Sequence, residues 1–263
     1  MIDEPTAPTE HPLSNDQPPS LPPAFYASPR LLARPMLRDC WTLLHPPYTI
    51  WHLSYVVIGS CLVAPVDVGR LLATVLAFFL AVGVGAHALD ELHGRPLRTT
   101  ISSSALVVAA VVGIGGAAAL GVAGISRVGS LLIVFIVVGV VLAVGYNLEI
   151  VGGRLHTDAV FALSWGAFPV LTGYYAQHER LSVPSGLAAV FAYFLSRAQR
   201  HLSSSARNLR RRTSSVAGTI TRVDGTTTAI DRATLLGPLE RALRALTWAT
   251  IALAATLAAA RLV

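Results

Sequence analysis

The sequence predicts an all-α protein, a polytopic bundle of about seven transmembrane helices. Of the 263 residues, 53% are hydrophobic and only 13% are charged, whereas about 25% of residues are charged in soluble domains. The chain contains seven apolar stretches of about 20 residues, the length at which a helix crosses the hydrocarbon core of a bilayer. Glycines recur inside these stretches, as is typical of helices that pack closely in a membrane.

The predicted spans follow an amphipathic segment. Residues 30–47 carry arginines at four-residue intervals on one helical face, which predicts an interfacial helix before the first span. The spans are 48–65, 69–88, 102–124, 128–147, 158–176, 184–202 and 242–260. Residues 30–263 thus form the predicted transmembrane helical domain, with one polar insertion at about 203–241. The pair Asp224-Gly225 predicts a turn within this insertion.

The first 29 residues differ in composition from the rest of the chain. Residues 1–29 are rich in proline, serine, threonine and acidic residues, and such a segment cannot bury enough apolar surface to fold. They also lack the basic-then-apolar order of a signal peptide. We therefore predict a disordered N-terminal tail.

The arginines determine the predicted orientation. All twenty basic residues are arginine, and with a cytoplasmic N-terminus sixteen of them fall in the inner segments and four in the outer ones. Basic residues accumulate on the cytoplasmic side of membrane proteins. We therefore predict an integral membrane protein with its N-terminus in the cytoplasm, in a bacterial or archaeal cell membrane. Because topology explains the net charge of +6, membrane lipids are expected partners and nucleic acid is not.

A polar cluster closes the second predicted span. His87, Asp90 and Glu91 lie at positions i, i+3 and i+4, on one helical face, and ionisable groups at the mouth of a span favour a functional interpretation. The carboxylates of Asp90 and Glu91 are candidate ligands for Mg²⁺, which prefers hard oxygen ligands. His87 is a candidate for proton transfer. The alternative is an ordinary helix end whose polar side chains reach the membrane surface.

Two further polar groups lie on the same predicted side of the membrane. Asn147 closes the fourth span. At the inner end of the sixth span lie Arg197, Gln199 and Arg200, and Arg207 follows shortly after it. Several guanidinium groups on one helical stripe are suited to a diphosphate, because arginine binds phosphate in a bidentate manner. The alternative is a polybasic segment that contacts anionic lipid and fixes topology. Since all three polar groups fall on the cytoplasmic side, we predict one shared site.

Several motifs of the chain resemble those of a known family. They are Trp41-Thr-Leu-Leu-His45-Pro46, Ala86-His87-Ala-Leu-Asp90, Arg95-Pro96-Leu97, Tyr146-Asn147 and Trp165-Gly166-Ala-Phe-Pro169-Val-Leu-Thr-Gly173-Tyr174. Together these stretches, within residues 38–212, resemble the UbiA superfamily of intramembrane prenyltransferases. Ala86, His87 and Gly94 replace three polar residues of that family's first acidic motif, and Asp90 matches it. Its second acidic motif is absent, and Arg197-Ala-Gln199-Arg200 lies roughly in its place.

The resemblance implies a membrane enzyme that acts on a prenyl diphosphate or a related isoprenoid, by prenyl transfer or by terpene cyclisation. It implies catalytic roles for His87, Asp90 and Glu91, with Mg²⁺ held by Asp90 and Glu91. The implied substrate-binding residues are Arg95, Asn147, Arg197, Gln199, Arg200 and Arg207. The aromatic residues that would stabilise an allylic cation are Trp51, Tyr55, Phe78, Phe79, Trp165 and Phe168.

Other function classes stay open from the sequence. A non-catalytic UbiA-like membrane protein would bind anionic lipid or a protein partner through its arginine face, and the missing second acidic motif favours this alternative. The cost of keeping His87, Asp90 and Glu91 at the end of a span favours the enzyme. A transporter would require broken half-helices, for which the sequence gives no clear case. A heptahelical receptor matches the span count but not the cytoplasmic N-terminus.

Overall fold

The computed structural model describes residue 32 and residues 34–150 and 152–262. This part of the chain is mostly helical, which confirms the all-α prediction apart from one small β-hairpin. The tail 1–29, predicted to be disordered, lies outside the described residues, as does Arg30 of the predicted interfacial helix.

Ten α-helices, two π-helical segments and two strands make up the described residues. In chain order they are α1 (Pro35–Leu44), α2 (Pro46–Cys61), α3 (Val68–Phe78), a first π-helical segment (Phe79–Ala86), α4 (His87–Leu92), α5 (Ser103–Val128), α6 (Leu132–Asn147), α7 (Asp158–Ala162), a second π-helical segment (Leu163–Ala167), α8 (Phe168–His178), α9 (Val183–Arg211), β1 (Gly218–Thr221), β2 (Thr227–Ile230) and α10 (Arg232–Leu262). Each π-helical segment joins its two neighbouring α-helices without a break.

Local sequence explains where several helices begin. The Asp67 carboxylate accepts a hydrogen bond from the Arg70 amide at the start of α3, and the Ser102 hydroxyl accepts one from the Ala105 amide at the start of α5. These caps satisfy amide groups that have no partner within the first helical turn. Helices α1 and α2 begin with proline, and proline is the second residue of α9. Proline has no amide hydrogen to satisfy in the first turn.

Three helical stretches are long and apolar enough to cross a membrane. They are Val68–Leu92, Ser103–Val128 and Arg232–Leu262, whereas α6 is apolar but shorter. On helix α5, Val108 and Val111 each leave more than half of their surface accessible. Side chains three residues apart share one helical face. An exposed apolar face of this kind is typical of a membrane-contacting surface.

Two helices reach into the predicted polar insertion, about residues 203–241, from its two ends. Helix α9 continues to Arg211, and α10 already begins at Arg232, ten residues before the predicted span. The helices extend past their apolar stretches because polar side chains pair between them, as Arg210 does with Glu240 at 2.8 Å. The remaining segment contains the antiparallel hairpin β1–β2, with Gly225 at positive φ in its turn.

Helix α2 lies at the centre of the packing. Its Trp51 and Val56 side chains are fully buried, and α2 contacts α8 and α10. A Cβ atom on Gly173 of α8 would lie 2.4 Å from the carbonyl oxygen of Val56. The close approach of α2 and α8 therefore requires glycine at this position, as in other tightly packed membrane helices.

Glycine also permits close packing at the two π-helical segments. A Cβ atom on Gly113 of α5 would lie 2.6 Å from the Leu80 carbonyl oxygen in the first segment. A Cβ atom on Gly166 in the second segment would lie 2.6 Å from the Ala192 carbonyl oxygen of α9. Because π-helical turns are rare and frequently mark functional sites, they direct attention to the space between these helices.

Candidate functional site

A polar cavity of about 510 Å³ lies at the end of the bundle where α4 and α6 finish. Its wall combines the beginning of α2, the ends of α4 and α6, the segment after α6, and the polar parts of α9 and α10. Six predicted site residues line it: His87, Asp90, Asn147, Gln199, Arg200 and Arg207. The three polar groups that are separate in the sequence therefore meet at one place.

Glu91, a predicted catalytic residue and metal ligand, does not line this cavity. Its side chain is fully buried, and its carboxylate accepts hydrogen bonds from the Leu97 amide, the Thr99 amide and the Thr99 hydroxyl, each at 2.9 Å. These contacts fold the segment after α4 back onto the helix end. These hydrogen bonds give Glu91 a structural role, and its catalytic and metal-binding role stays a prediction.

Two predicted substrate-binding arginines also lie outside the cavity wall. Arg95 donates to the Ile101 carbonyl oxygen at 2.6 Å and to the Ser103 hydroxyl at 2.7 Å, and so it ties its own loop to the start of α5. Arg197 donates to the Tyr193 hydroxyl at 3.2 Å, one turn earlier on α9. Neither contact turns the guanidinium group toward Asp90.

The residues present do not fit the predicted Mg²⁺ site. Asp90 lines the cavity, but the carboxylate of Glu91 is fully engaged by backbone and hydroxyl donors elsewhere. Within the described residues, no three side chains of histidine, cysteine, aspartate or glutamate form a group that could hold a metal ion. The expectation that Asp90 and Glu91 share one Mg²⁺ is therefore not supported by the geometry.

The arginines of the cavity wall differ in their partners. Arg200 forms a salt bridge with Asp158 at 3.0 Å, and its guanidinium group lies 5.1 Å from the ring centre of Phe161. Arg207 donates to the neutral Ser204 hydroxyl at 3.1 Å and forms no salt bridge within the described residues. Arg207 is therefore more available than Arg200 to bind an anionic ligand.

Two buried polar atoms beside the cavity lack a hydrogen-bond partner. The hydroxyl of Tyr146 and the side-chain oxygen of Gln199 are both unpaired, although these residues are 5% and 3% exposed. By contrast, the Asn147 amide donates to the Ala143 carbonyl oxygen at 2.7 Å. Since buried polar groups are normally paired, the Tyr146 and Gln199 atoms are candidates for contact with a ligand.

Four histidines line the cavity, and only His87 belongs to the predicted site. The His45 ring lies 5.3 Å from the His87 ring, and His156 stacks on Tyr146 with ring centres 4.5 Å apart. Burial lowers the pKa of His45 to about 3, so this ring is neutral near pH 7. His52 lies two helical turns after His45, and this spacing on one face was the sequence signal that could have revealed both.

An apolar cavity of about 490 Å³ adjoins the polar one. Val82 and Trp165 line both cavities, and each lies on one of the two π-helical segments. The His52 ring nitrogen Nδ1 lies 2.8 Å from the Trp165 carbonyl oxygen, which fixes the second segment against α2. The π-helical segments therefore form the boundary between a charged compartment and a hydrocarbon-like one.

The predicted aromatic residues are divided between this boundary and the core. Phe78, Trp165 and Phe168 line the apolar cavity, and Phe79 does not. Trp51 and Tyr55 are buried in the core, where the Trp51 indole donates to the Tyr55 hydroxyl at 2.7 Å. The aromatic surface available to a ligand is thus narrower than the sequence suggested.

Comparison of the chain with protein-family models, with curated proteins and with solved structures finds no match.

Proposed function

We propose that the chain is an integral-membrane enzyme, related to the UbiA superfamily, that acts on a prenyl diphosphate or a related isoprenoid. The single observation that carries the proposal is the adjoining pair of cavities. One is lined by Arg200 and Arg207, and the other by apolar and aromatic side chains. A prenyl diphosphate has the same division, with a multiply charged head and a hydrocarbon tail.

The proposed arrangement in the membrane has about seven spans. Three stretches have the length and composition of spans. Four further helical stretches pack among them: α2, α6, α9 and the continuous helix formed by α7, the second π-helical segment and α8. The positive-inside rule then places the polar cavity at the cytoplasmic face. A substrate whose tail lies in the bilayer would enter from the lipid side.

In the proposed reaction, the bond between C1 of the prenyl group and the diphosphate oxygen breaks, and its electron pair leaves with the diphosphate. Arg200 and Arg207 would stabilise the negative charge that develops there. The allylic cation would lie beside Trp165 and Phe168, whose ring faces attract positive charge. An acceptor or an alkene of the same substrate would then form the new carbon–carbon bond.

Asp90 and His87 would complete the proposed cycle by removing a proton. Loss of a proton from the product cation restores neutrality, and the acceptor needs to lie in the cavity near the reacting carbons. Asp90 lines the cavity, its carboxylate makes no hydrogen bond or salt bridge within the described residues, and the His87 ring lies beside it. Both are therefore candidates for the base.

A turnover assay tests the proposal. Purified protein in lipid nanodiscs is incubated with geranyl, farnesyl or geranylgeranyl diphosphate, with and without Mg²⁺ and with a membrane lipid and quinone extract as the source of acceptors. Diphosphate release and hydrocarbon products are measured. We expect diphosphate release with formation of a hydrocarbon product, and Asp90→Asn should lower this turnover by about 10²- to 10⁴-fold. Binding of the diphosphates without any release would contradict the enzyme and favour a non-catalytic isoprenoid-binding protein.

A further inference from the structure

We propose that the polar cavity binds the diphosphate of its isoprenoid directly, through Arg207, Tyr146 and Gln199, and that this binding needs no divalent metal ion. The inference rests on the proposed function for the identity of the ligand, and it specifies how the charged end is recognised.

The charge of the wall favours an anion over a cation. Five arginines line the cavity, and its carboxylates are those of Asp90 and Glu240. Glu240 is paired with Arg210 at 2.8 Å, which leaves Asp90 as the lining carboxylate that has no salt bridge in the described part of the chain. An excess of guanidinium groups in an enclosed space repels a divalent cation and attracts a diphosphate.

Arg207 has the donors that such an anion needs. Arg200 and Arg210 are each paired with a carboxylate, whereas Arg207 donates one hydrogen bond to the Ser204 hydroxyl. A guanidinium group has five N–H donors, and two parallel donors match two phosphate oxygens. Arg207 can therefore bind a phosphate group without first breaking a salt bridge.

Tyr146 and Gln199 line the same cavity and are the candidates for neutral hydrogen bonds, once a side-chain shift opens their covered polar atoms to a ligand. The Tyr146 hydroxyl has no hydrogen-bond partner within the described residues, and an unpaired buried polar group costs about 1–3 kcal/mol. Donation from this hydroxyl to a phosphate oxygen would remove that cost. The Gln199 side-chain oxygen is also unpaired, and a half-turn of the amide would direct its N–H₂ group at the anion instead.

The position of Tyr146 also gives the ligand a direction. The Tyr146 ring contacts the edge of the Trp165 ring, with centres 6.0 Å apart, and Trp165 borders the apolar cavity. A diphosphate that accepts a hydrogen bond from Tyr146 therefore lies where its hydrocarbon chain can continue past Trp165. Inorganic pyrophosphate would occupy only the charged half of this site.

Binding measurements on the full chain test the inference. Farnesyl diphosphate is titrated by calorimetry into nanodiscs of zwitterionic lipid that contain the protein, once in EDTA and once in Mg²⁺. We expect the two dissociation constants to agree within about twofold, which is much less than the tenfold change that corresponds to about 1.4 kcal/mol. Inorganic pyrophosphate should compete, farnesol should bind more weakly, and phosphatidylglycerol in the nanodisc should not displace the ligand.

Three variants make the test specific. Arg207→Gln should raise the dissociation constant by about 10- to 100-fold, since hydrogen bonds to charged groups contribute about 1.5–3 kcal/mol. Tyr146→Phe should raise it about fivefold while the melting temperature stays equal or rises, because the hydroxyl has no partner to lose. Arg241→Gln, which removes an exposed arginine of α10 that does not line the cavity, should leave the dissociation constant unchanged.

The possible outcomes separate the two proposals. Binding that is lost in EDTA and restored by Mg²⁺ overturns the metal-independent site and leaves the proposed function intact. Unchanged binding by Arg207→Gln and Tyr146→Phe also overturns the site. Displacement by phosphatidylglycerol identifies a lipid headgroup site and overturns the isoprenoid assignment. No binding in either buffer overturns this inference, and turnover in the earlier assay then decides the proposed function separately.

Discussion

The two ends of the bundle use arginine in different ways. At the end of the bundle where α3 begins, Arg70 donates to the Glu179 carboxylate at 2.9 Å and to the carbonyl oxygens of Ala176 and Arg127. These contacts tie α3 to the ends of α5 and α8. At the other end, Arg207 lines a cavity and has no carboxylate partner within the described residues.

The comparison separates structural charges from charges that are available to a ligand. A buried arginine that meets carboxylate and carbonyl acceptors strengthens the fold, because its hydrogen bonds are complete in the free protein. An arginine that faces an enclosed cavity with few acceptors is less favourable for stability and better suited to binding. The two acidic neighbours differ in the same way. The Glu91 carboxylate accepts three hydrogen bonds within the fold, whereas the Asp90 carboxylate lines the cavity.

The largest expected effect concerns these two acidic neighbours. Asp90→Asn should lower turnover by about 10²- to 10⁴-fold, the contribution of a positioned acid or base, with little change in stability. Glu91→Gln should lower the free energy of unfolding by about 2–4 kcal/mol, because the carboxylate accepts three buried hydrogen bonds. Turnover per folded molecule should be retained. Diphosphate release and unfolding in a detergent–SDS mixture measure the two quantities.

The opposite result would break the comparison. If Glu91→Gln abolishes turnover while its unfolding curve overlays that of the wild type, Glu91 belongs to the chemistry and the metal prediction from the sequence is restored. The conservative change to glutamine keeps the side-chain volume and one acceptor, so a loss of activity cannot be attributed to a cavity left by truncation.

A smaller effect is expected for the two arginines. Arg70→Gln should lower the free energy of unfolding by about 1.5–3 kcal/mol, since its hydrogen bonds include one to a carboxylate and two to backbone carbonyls. Arg207→Gln should leave the unfolding free energy unchanged or higher. Unfolding in a detergent–SDS mixture without substrate compares the two variants, and equal destabilisation by both would contradict the distinction between the two ends.

The smallest effect is a pH dependence near α1. Hydrogen bonds from the Thr100 hydroxyl and the Thr100 amide, at 2.5 and 2.8 Å, hold the pKa of Asp39 below its ordinary value. The stabilisation is complete above the ordinary carboxyl pKa and is lost as the pH falls through the lowered pKa. Thr100→Val should reduce this acid-dependent loss, an effect of about 1 kcal/mol.

Unfolding measured as a function of pH below the ordinary carboxyl pKa checks this last prediction. The wild type should lose stability more steeply than Thr100→Val, because its Asp39 resists protonation more strongly in the folded state. Coincident pH profiles would show that the Thr100 hydroxyl contributes nothing to holding Asp39 ionised.

Much of the site could be anticipated from the sequence because topology brought distant polar residues to one side. His87, Asp90, Asn147, Gln199, Arg200 and Arg207 close or follow apolar stretches, and all six line the cavity. The hydrogen bonds of Glu91 could not be anticipated, because its partners come from the irregular segment after α4. Helical spacing specifies a face but not which loop covers it.

The sequence by itself determined the helical class, the apolar stretches and the end of the bundle at which charge accumulates, because these properties follow from composition and periodicity. Only the tertiary structure decided which charges are paired and which face a cavity. That distinction depends on loop donors such as Thr99, on carboxylates such as Asp158, and on two π-helical segments that place Trp165 between the charged and apolar compartments. These contacts join residues from different elements or from an irregular loop, and helical periodicity does not encode them.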